Sequence, residues 1–174
     1  MRKTFFLFSL FLGVAALLAA QEINTDSSSV TIIAFHGDGS DVKGEIRGME
    51  GSVQFDPANP AEGKFSVCID ASTFKTDNGM RNWHIKSPSY LKVRKFPSIC
   101  FESTEITATE NGFETSGMLT IKESTREVVI SFTYEDGILK GRTEINRHDF
   151  AVGGDNEERV APVIQADIYC VLDL

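Results

Sequence analysis

Residues 56–104 read DPANPAEGKFSVCIDASTFKTDNGMRNWHIKSPSYLKVRKFPSICFEST, and the fold turns on this stretch. Two runs in it alternate between apolar and polar residues, and a long polar interval separates them. Phe65, Val67 and Ile69 share one face of residues 64–69. Ile99 and Phe101 share one face of residues 98–109. A period of two is that of a strand with one covered face. The interval between them, residues 70–97, carries Arg81, Trp83 and His84. It leaves room for one or two helical turns over residues 78–85 and another over 88–95.

The same period continues outward in both directions. Toward the N-terminus, residues 30–35 are a short apolar strand, followed by a turn rich in Gly and Asp at 37–41. Residues 43–55 are a strand interrupted by Gly48 and Gly51, which mark bends or bulges. Pro57, Asn59 and Pro60 make a turn. Toward the C-terminus, Asn111-Gly112 and Asp136-Gly137 are hairpin signals. Between and beyond them Phe113, Thr115, Gly117, Leu119 and Ile121 alternate, as do Val128, Ile130, Phe132 and Tyr134. Residues 138–146 and 165–174 are the last strands, joined by a charged, Gly-rich loop at 148–162. About eight antiparallel strands joined mostly by tight turns leave two architectures, a sandwich or a closed barrel. Pattern alone does not choose between them, but a barrel of about eight strands can hold one small ligand.

The first twenty residues read as an address and not as fold. Arg2 and Lys3 precede an apolar run from Phe5 to Leu18, and Ala19-Ala20 supply small residues before Gln21. This is the pattern of a cleaved secretory signal peptide over residues 1–20, leaving 21–174 as one domain. The run is short of a full bilayer span, so stable membrane insertion is not expected. Acidic residues dominate, 25 against 17 Lys and Arg, for a net charge of −8 before Arg2 and Lys3 are removed. Such a surface repels phosphate backbones and argues against nucleic acid as a partner. Three cysteines fit no zinc spacing. Cys68 and Cys100 point away from the apolar faces of their runs. If the two strands are neighbours, an oxidising compartment would permit a disulfide, the alternative being free thiols. Cys170 falls in step with Ile164, Ala166, Ile168 and Leu172 as an inert inward residue.

Several short pieces, in this order and spacing, resemble the YceI-like family. They are Gly44 to Asp56, then Asp70-Ala71-Ser72 with Thr76, Asn78, Arg81 and His84, then Phe96-Pro97. Leu119-Thr120-Ile121-Lys122 with Thr125-Arg126 follows, and Asn146-Arg147-His148-Asp149-Phe150 comes last. Ser27 and Ser28 replace the usual start of the first strand. Asn82 stands where an acidic residue is common, and Glu123 where glycine is common. The resemblance implies an all-β fold: an extended eight-stranded antiparallel lipocalin-like barrel with a short helical insertion after the third strand. It further implies a tunnel for a polyprenyl chain, a quinone tail or a fatty acyl chain, and a periplasmic or secreted location.

The candidate ligand-binding residues follow from combining that resemblance with the alternation. Val67, Ile69, Ile99, Phe101, Leu119, Ile121, Val128, Ile130, Phe132 and Ile168 would line the interior. Phe74, Tyr90, Phe96 and Phe150 would stand at the mouth. Arg81 and His84, three apart on a helical turn, share a face and could hold a head group. Alternatively, Arg81 pairs with a nearby carboxylate and locks the insertion to the barrel, while Trp83 packs. Arg147 and Asp149, in step around His148, suggest an ion pair at a barrel end. Two other readings remain open: a structural or protein-interaction barrel with a filled core, and a small enzyme using His84. No HExxH, GxSxG or P-loop is present, the three histidines fall on separate elements, and no cofactor or metal is called for. The turns Gly37-Asp38-Gly39 and Gly153-Gly154-Asp155 do not complete a calcium loop. The expected role is that of a binding protein and not an enzyme, with a homodimer among the open assemblies.

Overall fold

A computed structural model of the chain describes residues 20–36, 38–154 and 160–173. The expected leader lies outside the described residues except for Ala20, as do Gly37 and Asp155 of the two Gly-Asp turns. The strands are β1 (Gln21–Glu22), β2 (Ser29–Phe35), β3 (Asp41–Gln54), β4 (Lys64–Lys75) and β5 (Ser98–Thr109). After them come β6 (Gly112–Ile121), β7 (Ser124–Glu135), β8 (Ile138–Asn146) and β9 (Val163–Val171). One helix, α1 (Gly79–Lys86), follows β4, and short 3₁₀ turns cover Pro60–Glu62 and Arg147–Phe150. Every pairing is antiparallel.

The ring closes. Around it the order is β3, β2, β9, β8, β7, β6, β5, β4, and β4 pairs back onto β3. β1 lies along the same edge of β3 as β2, pairing Gln21 with Val53, so it is the detached start of the first barrel strand. Closure decides between the two architectures left open by pattern. The helix follows the third strand of the ring, as expected.

Residues 24–29 are polar, unlike their neighbours in sequence, yet the chain around them carries structure of its own. Ile23 is buried and bridges to Leu172. Ser28 is fully buried, and its hydroxyl accepts from Val171 N–H at 3.0 Å where a backbone carbonyl would otherwise do so. A side chain thus takes over one rung of the ladder while the chain jogs, which keeps the buried backbone satisfied.

β3 bends at its glycines. The register against β4 shifts on both sides of Arg47, next to Gly48, which has φ 73°. At Gly51, with φ 126°, a Cβ would stand 2.1 Å from the Ser66 carbonyl oxygen, so only glycine lets β4 approach there. The jog re-aims the strand so that Ile46 and Met49 both turn inward, each nearly fully buried.

Two local expectations are corrected. Residues 70–75 belong to β4 and not to the connecting interval. Thr73 hides the continuation: its hydroxyl accepts from Arg47 N–H at 2.8 Å, so pairing with β3 persists past the bulge through a side chain. Residues 88–95 form successive turns and no helix. Tyr90 and Lys92 N–H both reach back to the Ser87 carbonyl, and Lys92 adopts φ 49°. α1 forms because Asn78 caps it, its side chain accepting from Met80 and Arg81 N–H at 3.0 Å each. Among the described residues no helix is long and apolar enough to cross a membrane.

Candidate functional site

The inward faces of the strands do not fill the barrel evenly. At the end away from α1, five aromatic rings close on one another. Phe55 meets Phe65, Phe113, Phe132 and Tyr134 at centroid distances of 5.0–5.9 Å, three of these contacts edge-on. Phe65 and Phe132 meet edge-on at 5.4 Å. Such tilted contacts are the favoured geometry for aromatic quadrupoles and pack without gaps. Phe needs no hydrogen-bond partner, so this cluster seals the end at no polar cost.

Above that floor the packing stops. A cavity of about 360 Å³ runs from Phe65 and Phe132 toward α1 and opens there. Its wall is almost wholly hydrocarbon. β4 contributes Val67, Ile69 and Phe74, and β5 contributes Ile99 and Phe101. Leu119 and Ile121 come from β6, Val128 and Ile130 from β7, Phe150 from the 3₁₀ turn and Ile168 from β9. Val67, Ile99, Val128, Ile130 and Ile168 are only half-buried although they point inward. They face empty space and not neighbours. Gly117 keeps that space open on one side, because the Phe101 ring lies flat against it, 2.4 Å from where a Cβ would stand.

Fifteen of the sixteen candidate residues lie on the cavity wall or its mouth. Phe96 is the exception. It lies in the connection before β5, with the Lys95 ammonium 4.8 Å from its ring centroid, and does not line the cavity. Missing from the sequence list were Val30, Ile32 and Ala34 of β2 and Ile46, Met49 and Val53 of β3. Leu139, Gly141, Thr143 and Ile145 of β8 were also missed. The β2 and β3 residues alternate legibly once the Gly48 jog is allowed for. β8 is harder to read, because Gly and Thr occupy half of its inward positions.

The mouth is built from α1, the turns after it, and the Arg147–Phe150 turn. His84 rests edge-on against Tyr90, ring centroids 4.8 Å apart. Arg81 lines the opening, and it pairs with a carboxylate within the insertion, Asp77 at 2.8 Å. The pair is exposed, which makes it worth little to stability. Asn82 supports the helix from behind, its carbonyl oxygen accepting from the Thr76 N–H and hydroxyl at 2.7 Å each. Trp83 does not pack: it is 72% exposed beside Met80 at 81%.

Arg147 is buried, at 4% exposure, and it does not pair with Asp149. Its guanidinium donates to four carbonyls instead: Ala161 at 3.0 Å, Val152 at 3.0 Å, Gly154 at 2.8 Å and Val160 at 2.9 Å. The planar fork matches converging carbonyls, while Asp149 stays in solvent. Arg147 thereby gathers the loop ends beside the seam where β7 and β8 part. That ladder ends at Ser131 and Arg142, beyond which Thr143 donates its hydroxyl to the Val129 carbonyl at 2.8 Å. Lys122, buried in the β6–β7 hairpin, donates to the Ala151 carbonyl from the other side. Burial and then the nearby Lys92 push its pKa below the ordinary lysine value, with Glu123 opposing. Glu123 itself sits 3.7 Å from both Lys92 and Lys95. The departure from glycine at this position thus joins the hairpin to the mouth loop.

On the outer wall Cys68 and Cys100 face each other in register and form a disulfide, with Cα atoms 4.1 Å apart. Cys170 is buried, and burial pushes its thiol up to about 11 against a Ser28 hydrogen bond that lowers it. Among the described residues, no group of three or more His, Cys, Asp or Glu is placed to hold a metal ion.

The sequence model of the YceI-like domain matches residues 21–172. The chain belongs to this family. Curated relatives of this YceI-like barrel include proteins described as UPF0312 in Yersinia pestis (strain Pestoides F) and Yersinia enterocolitica. They are 36% and 34% identical over 87 residues, which is 50% of this chain and 45% of each relative. The chain thus aligns with about half the length of those relatives. Among solved structures, Burkholderia cenocepacia BcnA superposes with a TM-score of 0.77 at 23% identity, covering 86% of this chain and 98% of that one. A Campylobacter jejuni YceI protein gives 0.65 at 22% identity, covering 78% and 86%. A domain from Saccharophagus degradans described as polyisoprenoid-binding gives 0.65 at 8% identity, covering 88% and 98%. At these identities the likeness is one of fold.

Proposed function

We propose that this YceI-like barrel is an exported carrier or sequestering protein for an amphiphilic lipid with an isoprenoid, quinone-like or fatty-acyl tail. The observation that carries the reading is the cavity itself: about 360 Å³ of hydrocarbon-lined space, closed at one end and open at the other. A barrel that only scaffolds would gain from filling that space, since each missing contact costs dispersion and transfer energy. Burying a tail there is worth about 0.8 kcal/mol per CH₂, so affinity needs few polar contacts. Arg81, His84 and Tyr90 at the opening are placed to orient a head group. Binding without turnover fits a wall with almost no polar atoms.

Export to a periplasm or beyond is supported by the leader at residues 1–20 and by the Cys68–Cys100 disulfide, a bond that persists in oxidising compartments. The deciding experiment is native mass spectrometry of the purified protein with solvent extraction of co-purifying material. A discrete added mass that extracts as a lipid supports the carrier. A clean apo mass, unchanged after incubation with quinones, polyprenols and fatty acids, overturns it. A substrate turned over by the protein and spared by His84→Ala would instead make it an enzyme.

A further inference from the structure

The two most exposed large apolar side chains among the described residues stand together beside the cavity's opening. Met80 is 81% and Trp83 72% exposed, against 38–50% for the other large apolar residues that reach solvent. Three apart on α1, they share its outer face. The other face of the helix, with Arg81, His84 and Ile85, lines the opening. None of the eight residues of α1 is buried, so Met80 and Trp83 give the core nothing. Single exposed apolar residues are ordinary, but a tryptophan and a methionine paired on the rim of an apolar cavity mark a contact surface.

The charge around them runs against that of the chain. Residues 75–96 hold six Lys and Arg and one acid, Asp77, although the whole chain carries 25 acids against 17 Lys and Arg. Asp77 engages Arg81 at 2.8 Å. Glu123 reaches in from the β6–β7 hairpin to Lys92 and Lys95, at 3.7 Å each. Among the described residues, Lys75, Lys86 and Arg94 have no carboxylate within ion-pair distance. Lys75 and Arg94 are exposed and Lys86 half-buried, so their charge is turned to solvent on the same end of the barrel as Trp83.

We infer that the α1 end docks on an anionic bilayer surface, with Met80 and Trp83 entering the head-group layer and Lys75, Lys86 and Arg94 against lipid phosphates. A tryptophan ring, apolar in body with a polar N–H, settles at that depth, and Lys and Arg beside it reach back to the head groups. The same bilayer repels the acidic remainder of the chain, which orients the barrel mouth-first. A docked barrel holds its opening against the leaflet. A tail then passes into the cavity without exposing its methylenes to water, which would disfavour it about fourfold per CH₂. The docking surface stands on exposed residues, apart from the carrier reading, and only its use in loading a tail rests on that reading.

Trp83 is the sole tryptophan of the chain, so its fluorescence reports the contact directly. The test is titration of the delipidated protein with vesicles of phosphatidylcholine alone and with vesicles containing about a third phosphatidylglycerol. The expected result is a blue shift of Trp83 emission and co-sedimentation with the anionic vesicles, both lost in molar salt. Lys86→Ala and Arg94→Ala should each weaken docking about fivefold. Trp83→Ser, read by co-sedimentation, should weaken it about tenfold. Met118→Ser, at an exposed position of β6, should leave it unchanged. Emission unmoved by either kind of vesicle overturns the inference, and equal binding to both kinds overturns the role of the basic residues. A blue shift that grows with protein concentration in the absence of vesicles gives the face to a second copy of the chain and also overturns it. Docking without uptake of any quinone, polyprenol or fatty acid overturns the carrier reading and leaves the surface standing. Uptake without docking does the reverse.

Discussion

The two ends of this barrel are made from the same kind of strand but obey different rules. At the floor, Phe55, Phe65, Phe113, Phe132 and Tyr134 contact one another, and the closure is hydrocarbon. At the mouth, closure is polar and depends on backbone: Arg147 on four carbonyls, Lys122 on a fifth, Asn78 and Asn82 at the start of α1. Apolar packing is non-directional and tolerates small shifts, whereas a buried guanidinium needs each acceptor in place. The difference suits a vessel. The end that must never leak is packed, and the end that must admit a tail is held by a few specific bonds around a gap.

The sharpest way to break the floor is Phe55→Ala, which removes the ring touching four others. It should cost about 3–5 kcal/mol, read from urea unfolding, the usual cost of truncating a core Phe. A cost under 1 kcal/mol would show that the cluster is loosely packed. Removing the disulfide by a Cys68→Ala, Cys100→Ala double substitution should cost about 3–4 kcal/mol by the loop it closes, with tail binding unchanged. The pair lies on the outer face of the wall between the two ends, so a change in ligand preference would mean that the wall is less rigid than its ladder implies.

At the mouth, Arg147→Met should cost about 2–3 kcal/mol, since buried carbonyls are left without donors. Arg147→Lys should recover only part of this, because one ammonium cannot span four acceptors. Equal stability of Arg147→Lys and the parent would show that charge and not fork geometry holds the loop.

Two effects of pH follow. Cys170 has its thiol pushed up to about 11 in the fold from 9.0, so folding favours the protonated form. Its contribution is complete below pH 9 and is lost as pH rises through about 11. The loss amounts to about 3 kcal/mol. Lys122 acts oppositely: its folded pKa lies below 10.5, so it adds stability as pH rises toward that value. Unfolding of Cys170→Ala beside the parent from pH 8 to 11 isolates the cysteine, and identical curves would place its thiol in contact with water. Least of all, Trp83→Ala should change stability by no more than about 0.5 kcal/mol, as expected of an exposed side chain. A larger loss would mean that α1 is held at the mouth through its outer face.

How much of this was legible in the chain differs between the two ends. Alternation at Phe65-Val67-Ile69, Ile99-Phe101 and Val128-Ile130-Phe132 marked the wall, because a strand's period of two survives whatever it packs against. The Asp136-Gly137 hairpin, with φ 48° and 79°, was equally readable from local conformational preference. Thr73 and Ser28 misled because their hydroxyls replace backbone partners, and polar composition there reads as loop. Arg147 misled because its neighbour in sequence is an acid, while its partners are carbonyls up to fourteen residues away.

The sequence by itself thus determined the strands, their inward faces and the family, all of which depend on local period and order. Only the tertiary structure decided that the sheet closes, that Phe55 falls among four rings, and that an empty space remains above them. Those outcomes depend on register and on the sum of side-chain volumes across the ring, quantities that no single strand contains.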